Sequence, residues 1–146
     1  MIPSIEKATF EEIKIFQEQE LKKALQYLAD NSGYYQRVFK EHNISISEIN
    51  SLEDLTKLPI TSKEQLQKFN EDFICVDKSE IIDYVTTSGT LGDPVTFALT
   101  DKDLDRLAYN EAISFACTGV KKEDVLQLTT TIDRRFMAGL AYFLGA

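Results

Sequence analysis

The stretch Thr86-Thr-Ser-Gly-Thr-Leu-Gly-Asp-Pro94 lies between two short segments, residues 81–86 and 95–99, whose composition is typical of β-strands. The short distance between these segments predicts a hairpin-like pair. Glycine lets the backbone adopt positive φ and approach a ligand closely, and successive N–H groups in such a turn can bind an anion. We therefore predict a phosphate-binding loop over 86–94, with an ordinary glycine- and proline-containing turn as the alternative.

Two better-known loops do not fit this stretch. A Walker A loop needs four residues between its glycines and then Lys-Ser or Lys-Thr, whereas Gly89 and Gly92 are separated by two residues. A nucleophile elbow needs glycines two positions before and after its serine, and Ser88 has neither. The loop is therefore predicted to bind phosphate through its backbone and hydroxyl groups.

The first half of the chain is predicted to be helical. Thr9 and Glu12 form a capping-box pattern, and apolar residues then recur at helical spacing, which predicts one helix over 10–31 with Gly33 as the stop signal after it. A second helical segment carries an apolar cluster, which we interpret as core, with a ligand pocket as the alternative. Its members are Tyr34, Tyr35, Val38 and Phe39.

A connector over residues 43–59 follows, with possible short helices starting at Ser47 and Ser51. Thr61-Ser-Lys-Glu64 predicts a further capped helix, which buries Leu66 and Phe69.

The second half of the chain alternates strands with helices. Thr100 and Asp103 are expected to cap a helix that ends at Gly119, and a third strand is expected over 125–129. Five residues are expected on one side of that helix: Leu104, Leu107, Ala108, Glu111 and Phe115. An apolar helix then runs to Ala146. Three strands make a thin sheet with an uncovered edge, so we expect an incomplete α/β sheet.

Composition excludes several classes of partner. The 146 residues carry a formal net charge of −8, which argues against a nucleic-acid footprint and against a basic membrane-surface segment. The chain has two cysteines and one histidine, His42, too few for an ordinary structural zinc site. Two free thiols and the lack of a signal-peptide pattern predict a cytoplasmic location.

Upstream of the loop, Leu58-Pro-Ile-Thr-Ser-Lys-Glu-Gln-Leu66 is similar to the LPxTxKxxL segment of the phenylacetate–CoA ligase family. In that family the segment precedes a phosphate loop of the form Ser/Thr-Ser-Gly-Thr-x-Gly-x-Pro, which residues 87–94 resemble. The loop alone is typical of the wider adenylate-forming superfamily, and the two segments together indicate this branch. The resemblance covers nearly the whole chain and implies that it is the N-terminal portion of such a ligase.

The resemblance implies a two-step, AMP-forming reaction, in which a small carboxylic acid, such as an aryl acid, attacks the α-phosphate of ATP and CoA then displaces AMP. It assigns the outer phosphates of ATP to Thr87, Ser88, Gly89, Thr90 and Gly92. It also implies Mg²⁺ as a cofactor. Phe136 becomes a candidate wall of the acyl pocket, with plain core as the alternative.

The resemblance also implies a domain organisation. Residues 1–80 would be the helical lead-in, with α+β character, and residues 81–146 would start the α/β adenylate-forming subdomain. The ribose-binding, metal-binding and C-terminal lysine positions would lie beyond Ala146, so the chain alone is expected to be inactive and prone to self-association. The alternative is a non-catalytic module that binds an anion or a partner protein.

Overall fold

A computed structural model of the chain describes residues 4–87, 94–132 and 136–146. The chain divides into two compact units, one ending at Cys75 and one beginning at Val76. Seven α-helices and β-strands are found in the described residues. They are α1 (Phe10–Asn31), α2 (Gly33–Glu41), α3 (Lys63–Lys68), β1 (Asp83–Thr86), β2 (Thr96–Leu99), α4 (Asp101–Cys117) and α5 (Met137–Gly145).

The predicted helix over 10–31 is confirmed by α1, but Gly33 does not act as its stop. The Thr9 N–H donates to the Glu12 carboxylate at 2.8 Å, and the Glu12 N–H donates back to the Thr9 hydroxyl at 3.3 Å. At the other end, Gly33 is the first residue of α2. Ser32 separates the two helices because its hydroxyl accepts the Tyr35 N–H at 3.3 Å and so caps α2.

The aromatic cluster of α2 is core, as predicted. The Tyr34 ring stacks on Phe73 with 4.0 Å between ring centroids, and Tyr34 is only 4% exposed. Five buried residues make up this core: Leu25, Tyr34, Val38, Phe39 and Ile49. Leu58 and Phe69 pack against it from the connector and from the end of α3.

The connector contains short 3-10 turns, and neither of them begins at the predicted residue. The turns span Ile46–Glu48 and Glu53–Lys57, so they do not begin at Ser47 and Ser51.

The cap of α3 is also one residue later than predicted, because Ser62 pairs with Gln65 in place of Thr61 with Glu64. The Ser62 N–H donates to Gln65 Oε1 at 2.7 Å. The Thr61 hydroxyl is instead engaged with the Tyr35 hydroxyl at 3.1 Å.

The second unit contains the predicted hairpin. Strands β1 and β2 pair antiparallel, with Asp83 opposite Leu99 and Thr86 opposite Thr96. Thr100 and Asp103 form the predicted capping box of α4. The chain leaves α4 through Gly119 at φ 91°, a conformation that favours glycine.

The predicted third strand is wrong. Within the residues that the structure describes, the sheet contains β1 and β2 only, and residues 125–129 form no strand. Val125 is 96% exposed. A strand persists only when a neighbour satisfies its backbone groups, and no described segment does so here.

Helix α5 packs closely on α4. A Cβ at Gly145 would lie 2.5 Å from the Glu111 Cβ and 3.0 Å from the Ala108 carbonyl oxygen. The Phe115 and Tyr142 rings also meet, with centroids 6.3 Å apart. The backbones of α4 and α5 therefore lie so close together that there is no room for a side chain at Gly145.

Candidate phosphate-binding site

The structure describes two of the six predicted site residues, Thr87 and Phe136. The other four, Ser88, Gly89, Thr90 and Gly92, lie outside the described residues. The described part of the candidate site consists of the hairpin on either side of the loop and of the segment around Phe136.

Thr87 closes the hairpin at the point where the loop begins. Its N–H donates to the Val95 carbonyl oxygen at 3.0 Å, and its hydroxyl accepts the Val95 N–H, also at 3.0 Å. A hydroxyl that accepts a hydrogen bond still carries its own proton for donation. Thr87 is exposed, so its hydroxyl can hold the loop base and still offer a donor to an anion.

Two buried valines anchor this hairpin base. Val85 precedes Thr86 on β1, and Val95 directly precedes β2, and each is 2% exposed. Burial of both side chains holds the two ends of the loop in a fixed position, because core side chains are closely packed. The residues on both sides of 88–93 are thus anchored by buried side chains.

Phe136 lies beside the hairpin. It forms an isolated parallel bridge with Thr86, the last residue of β1. Phe136 is also the residue that precedes α5, and its side chain is half-buried. The structure therefore brings the segment of the predicted acyl-pocket residue next to the start of the predicted phosphate loop.

Gly139 is a site-supporting residue that the sequence analysis did not single out. A Cβ at Gly139 would overlap the carbonyl oxygen of Thr131 and lie 2.8 Å from the carbonyl carbon of the same residue. The backbone of Thr131 therefore passes directly against α5, one turn after Phe136. A glycine in the interior of an apolar helix was the available signal, because glycine weakens a helix there but lets another backbone come close.

The described residues supply no obvious metal or nucleophile chemistry. No three His, Cys, Asp or Glu side chains come together as metal ligands in the described parts of the chain. Cys75 and Cys117 are free thiols. Burial raises the pKa of the Cys75 thiol, which disfavours the reactive thiolate.

A small cavity in the first unit does not resemble a nucleotide site. Its volume is about 140 Å³, below the roughly 300–1,000 Å³ of ordinary ligand pockets. Its lining includes Tyr34, Arg37, His42 and Phe69. The Arg37 guanidinium is occupied, since it donates to Asp72 at 2.9 Å and lies 5.1 Å from the centroid of the Phe69 ring.

Comparison with known proteins gives a consistent picture. The chain is 29% identical over 143 residues to the phenylacetate-coenzyme A ligase of Escherichia coli (strain K12). The aligned residues are 97% of this chain and 32% of that protein. It is 28% identical over 120 residues to the phenylacetate-coenzyme A ligase of Thermus thermophilus, covering 82% of this chain and 27% of that protein. No model of a protein family matches the chain.

The chain matches the N-terminal portion of the phenylacetate–CoA ligase family. It spans about a third of the length of these ligases.

The fold is shared with a solved ligase. This chain superposes on a crystal structure of 2-hydroxyisobutyryl-CoA ligase in complex with 2-HIB-AMP and CoA, with a TM-score of 0.80 and 24% sequence identity. The superposition covers 94% of this chain and 30% of the ligase. An open conformation of the same ligase gives 0.79 at 23% identity, over 93% and 32% of the two chains. The chain therefore has the fold of the N-terminal part of an adenylate-forming ligase. No helix among the described residues is long and apolar enough to cross a membrane.

Proposed function

We propose that this chain is the N-terminal part of an ATP- and CoA-dependent, AMP-forming aryl- or acyl-CoA ligase. The observation that carries the proposal is the hairpin β1–β2. Its base is closed by Thr87 and Val95 on either side of the hydroxyl- and glycine-rich sequence 88–93, and Thr86 at the end of β1 pairs with Phe136. The similarity to phenylacetate-coenzyme A ligases over 97% of the chain supports it independently.

In this proposal the loop binds the outer phosphates of ATP while pyrophosphate leaves. The residues involved are Thr87, Ser88, Gly89, Thr90 and Gly92. Backbone N–H and hydroxyl donors accelerate such a step only when they bind the departing charge better than they bind ATP. Phe136 contributes an apolar wall for the carboxylic acid.

CoA is the second substrate, and Mg²⁺ would be held mainly by the phosphates of ATP, as is usual for this ion. The acid is a small carboxylate, as in the names of the relatives, and an aryl acid is proposed from the phenylacetate-coenzyme A ligases. A cytoplasmic location is proposed with this function.

The proposed domain organisation follows the same family. Residues 1–80 form the helical lead-in, and residues 81–146 begin the adenylate-forming subdomain with the loop at 86–94. Since the chain spans about a third of the ligases that it matches, the adenine, ribose and metal contacts of the proposed reaction are assigned to the remaining two thirds. The chain alone is therefore proposed to be inactive and to self-associate.

The proposed function is tested by Gly89→Ala in the full-length protein. A side chain at this position of the loop should obstruct the approach of phosphate to the backbone. We expect pyrophosphate release at saturating acid to fall about ten-fold or more, a loss of about 1.4 kcal/mol of transition-state stabilisation. The melting temperature should change little.

Wild-type adenylation in Gly89→Ala would remove the phosphate-loop assignment and favour the alternative of a non-catalytic module. A second assay uses residues 1–146 alone with ATP, Mg²⁺, CoA and a panel of aryl acids. AMP release above background in that assay would contradict the proposed division of the active site.

A further inference from the structure

One side of α2 lines the small cavity of the first unit. Tyr34, Arg37, Val38 and Glu41 all contribute to its wall, because residues three or four positions apart lie on the same side of a helix. His42, directly after α2, extends this wall. All of these residues belong to the unit that ends at Cys75, whereas the hairpin of the candidate phosphate-binding site belongs to the other unit.

A second wall comes from the segment 58–66, which resembles the LPxTxKxxL motif and has no role in the proposed function. Pro59 and Gln65 of this segment line the cavity, and so does Phe69 at the end of α3. The hydroxyl groups of Thr61 and Tyr35, 3.1 Å apart, form a hydrogen bond that joins the segment to α2. The two walls of the cavity are therefore tied to each other.

The side chains around the cavity are held by contacts of their own. The Tyr34 ring stacks on Phe73 with 4.0 Å between the ring centroids. The Arg37 guanidinium donates to Asp72 at 2.9 Å and lies 5.1 Å from the centroid of the Phe69 ring. These side chains would lose those contacts if they moved into the cavity. The cavity is thus preformed, and a ligand binds to it without the cost of ordering its walls.

The volume and the polarity of the cavity fit a single aromatic ring with one polar group. The volume is about 140 Å³, and an apolar cavity of about 150 Å³ is known to bind benzene. Tyr34 and Val38 are 4% and 9% exposed, whereas Glu41 and His42 are exposed. The cavity therefore has a buried floor, which suits the ring, and a polar mouth, which suits the polar group.

The charges that line the cavity favour a neutral polar group. A carboxylate would meet the Glu41 carboxylate, and an ammonium group would meet the Arg37 guanidinium, so either charge on the ligand faces a like charge. A hydroxyl group can donate to a carboxylate and accept from a guanidinium at the same time. The bond from Arg37 to Asp72 uses one N–H, and a guanidinium carries about five such donors. Arg37 therefore keeps donors for a ligand.

We propose that this cavity binds a neutral phenol, a single aromatic ring that carries a hydroxyl group. The ring packs against Tyr34, Val38 and Phe69, and the hydroxyl group lies at the mouth, where it donates to Glu41 and accepts from Arg37. We call this cavity the phenol site. The proposal does not depend on the proposed function, because all of its residues belong to the first unit and no nucleotide takes part.

The test titrates phenol into the chain without ATP, Mg²⁺ or CoA. His42 lines the cavity and is the only histidine of the chain, so the NMR signals of its imidazole report binding at this place. We expect the signals to shift and to saturate with a dissociation constant of about 1 mM, as is reasonable for a ligand of so few atoms. A titration with phenol that leaves the His42 signals unchanged would overturn the proposal.

Three further ligands test the chemistry of the mouth. Benzoate and benzylamine carry a negative and a positive charge, and each should bind about ten-fold more weakly than phenol because of the like charge that it meets. Toluene has a methyl group in place of the hydroxyl group and should bind about five-fold more weakly, because it offers the mouth no hydrogen bond. Binding of any of the three as tight as that of phenol would overturn the proposal.

Glu41→Gln tests the role of the carboxylate. Benzoate should gain about ten-fold in affinity relative to phenol, because the anion then meets Arg37 without an opposing charge. Glu48→Gln is the matched control, since Glu48 is exposed in the same unit and does not line the cavity. It should leave both affinities within about two-fold of wild type. The same change of selectivity in both variants would overturn the proposal.

Val38→Phe tests the floor of the phenol site. The larger side chain should fill the space that the ligand ring needs and weaken phenol binding about ten-fold or more. Circular dichroism establishes whether this variant is folded, because a larger side chain in a packed core can be destabilising. A folded Val38→Phe protein that binds phenol like wild type would overturn the proposal. If the variant does not fold, the selectivity of Glu41→Gln decides.

Discussion

Thr86 and Phe136 pair through their backbones in a parallel bridge, although 49 residues separate them in sequence. The bridge joins the end of β1, where the predicted phosphate loop begins, to the residue that precedes α5. We therefore expect a displacement of α5 to move the base of the loop as well, because the bridge joins the two backbones. This connection relates the two halves of the proposed site, the phosphate loop and the acyl-pocket wall.

The first prediction concerns the hydroxyl that closes the hairpin. Thr87→Val keeps the shape of the side chain but removes the acceptor of the Val95 N–H. Because Val95 is 2% exposed, the loss of this acceptor should lower the free energy of unfolding by about 1–3 kcal/mol. Urea denaturation measures this change. Thr87→Ser retains the acceptor and should stay close to wild type; an equal loss in both variants would exclude the hydrogen bond as the cause.

Gly139→Ala should destabilise the second unit. The new Cβ would overlap the Thr131 carbonyl oxygen, and the backbone must shift to relieve the overlap at a cost of about 1–3 kcal/mol. Gly33→Ala is the matched control, since its Cβ would meet only Asp72 atoms at 3.9 and 4.0 Å. An alanine there should be neutral or stabilise by about 0.4–1 kcal/mol. Thermal denaturation measures the stability of both variants. A Gly139→Ala protein as stable as wild type would contradict the close contact between Gly139 and Thr131.

The core of the first unit is tested by two isoleucines. Ile49 is 2% exposed, whereas Ile60 is 91% exposed. Ile49→Ala should cost about 2–5 kcal/mol of unfolding free energy, because it leaves a cavity in the cluster around Leu25 and Tyr34. Ile60→Ala should change it by less than about 0.5 kcal/mol. Similar losses in urea denaturation would mean that the cluster is not the core.

Asp54 should make the stability of the first unit depend on pH. The Lys57 ammonium and the N–H groups of Asn50 and Ser51 hold the pKa of its carboxyl well below the usual range. A carboxyl whose folded pKa is depressed stabilises the fold fully above its unfolded pKa of about 4, and this contribution is lost as the pH falls further.

Asp54→Asn should therefore be less stable than wild type at pH 7, and the difference should narrow as the pH is lowered from 5 towards 3. Asp105→Asn, at an exposed position inside α4, makes the same change of charge as a control. Urea denaturation across this pH range provides the measurement. A difference between Asp54→Asn and wild type that is constant with pH would rule out the ionised carboxylate as its source.

Local chemistry explains which elements could be predicted. Thr9 with Glu12 and Thr100 with Asp103 form the expected capping boxes, because such caps depend only on residues three positions apart. The cap of α3 moved from Thr61 to Ser62 because Tyr35, 26 residues away, binds the Thr61 hydroxyl. Gly33 likewise begins α2, since the buried Ser32 provides the cap and also donates to the Asp72 carbonyl oxygen at 3.1 Å.

The sequence by itself determined the long helices, the hairpin around 86–94 and the resemblance to adenylate-forming ligases, because these depend on periodicity, turn residues and local motifs. Only the tertiary structure decided that residues 125–129 form no strand with any other described segment, that Phe136 bridges Thr86 and that Gly139 touches Thr131. Strand pairing and close backbone approach are made by residues far apart in the chain. No local pattern specifies which distant backbone group will satisfy a given N–H or fill the space beside a given glycine.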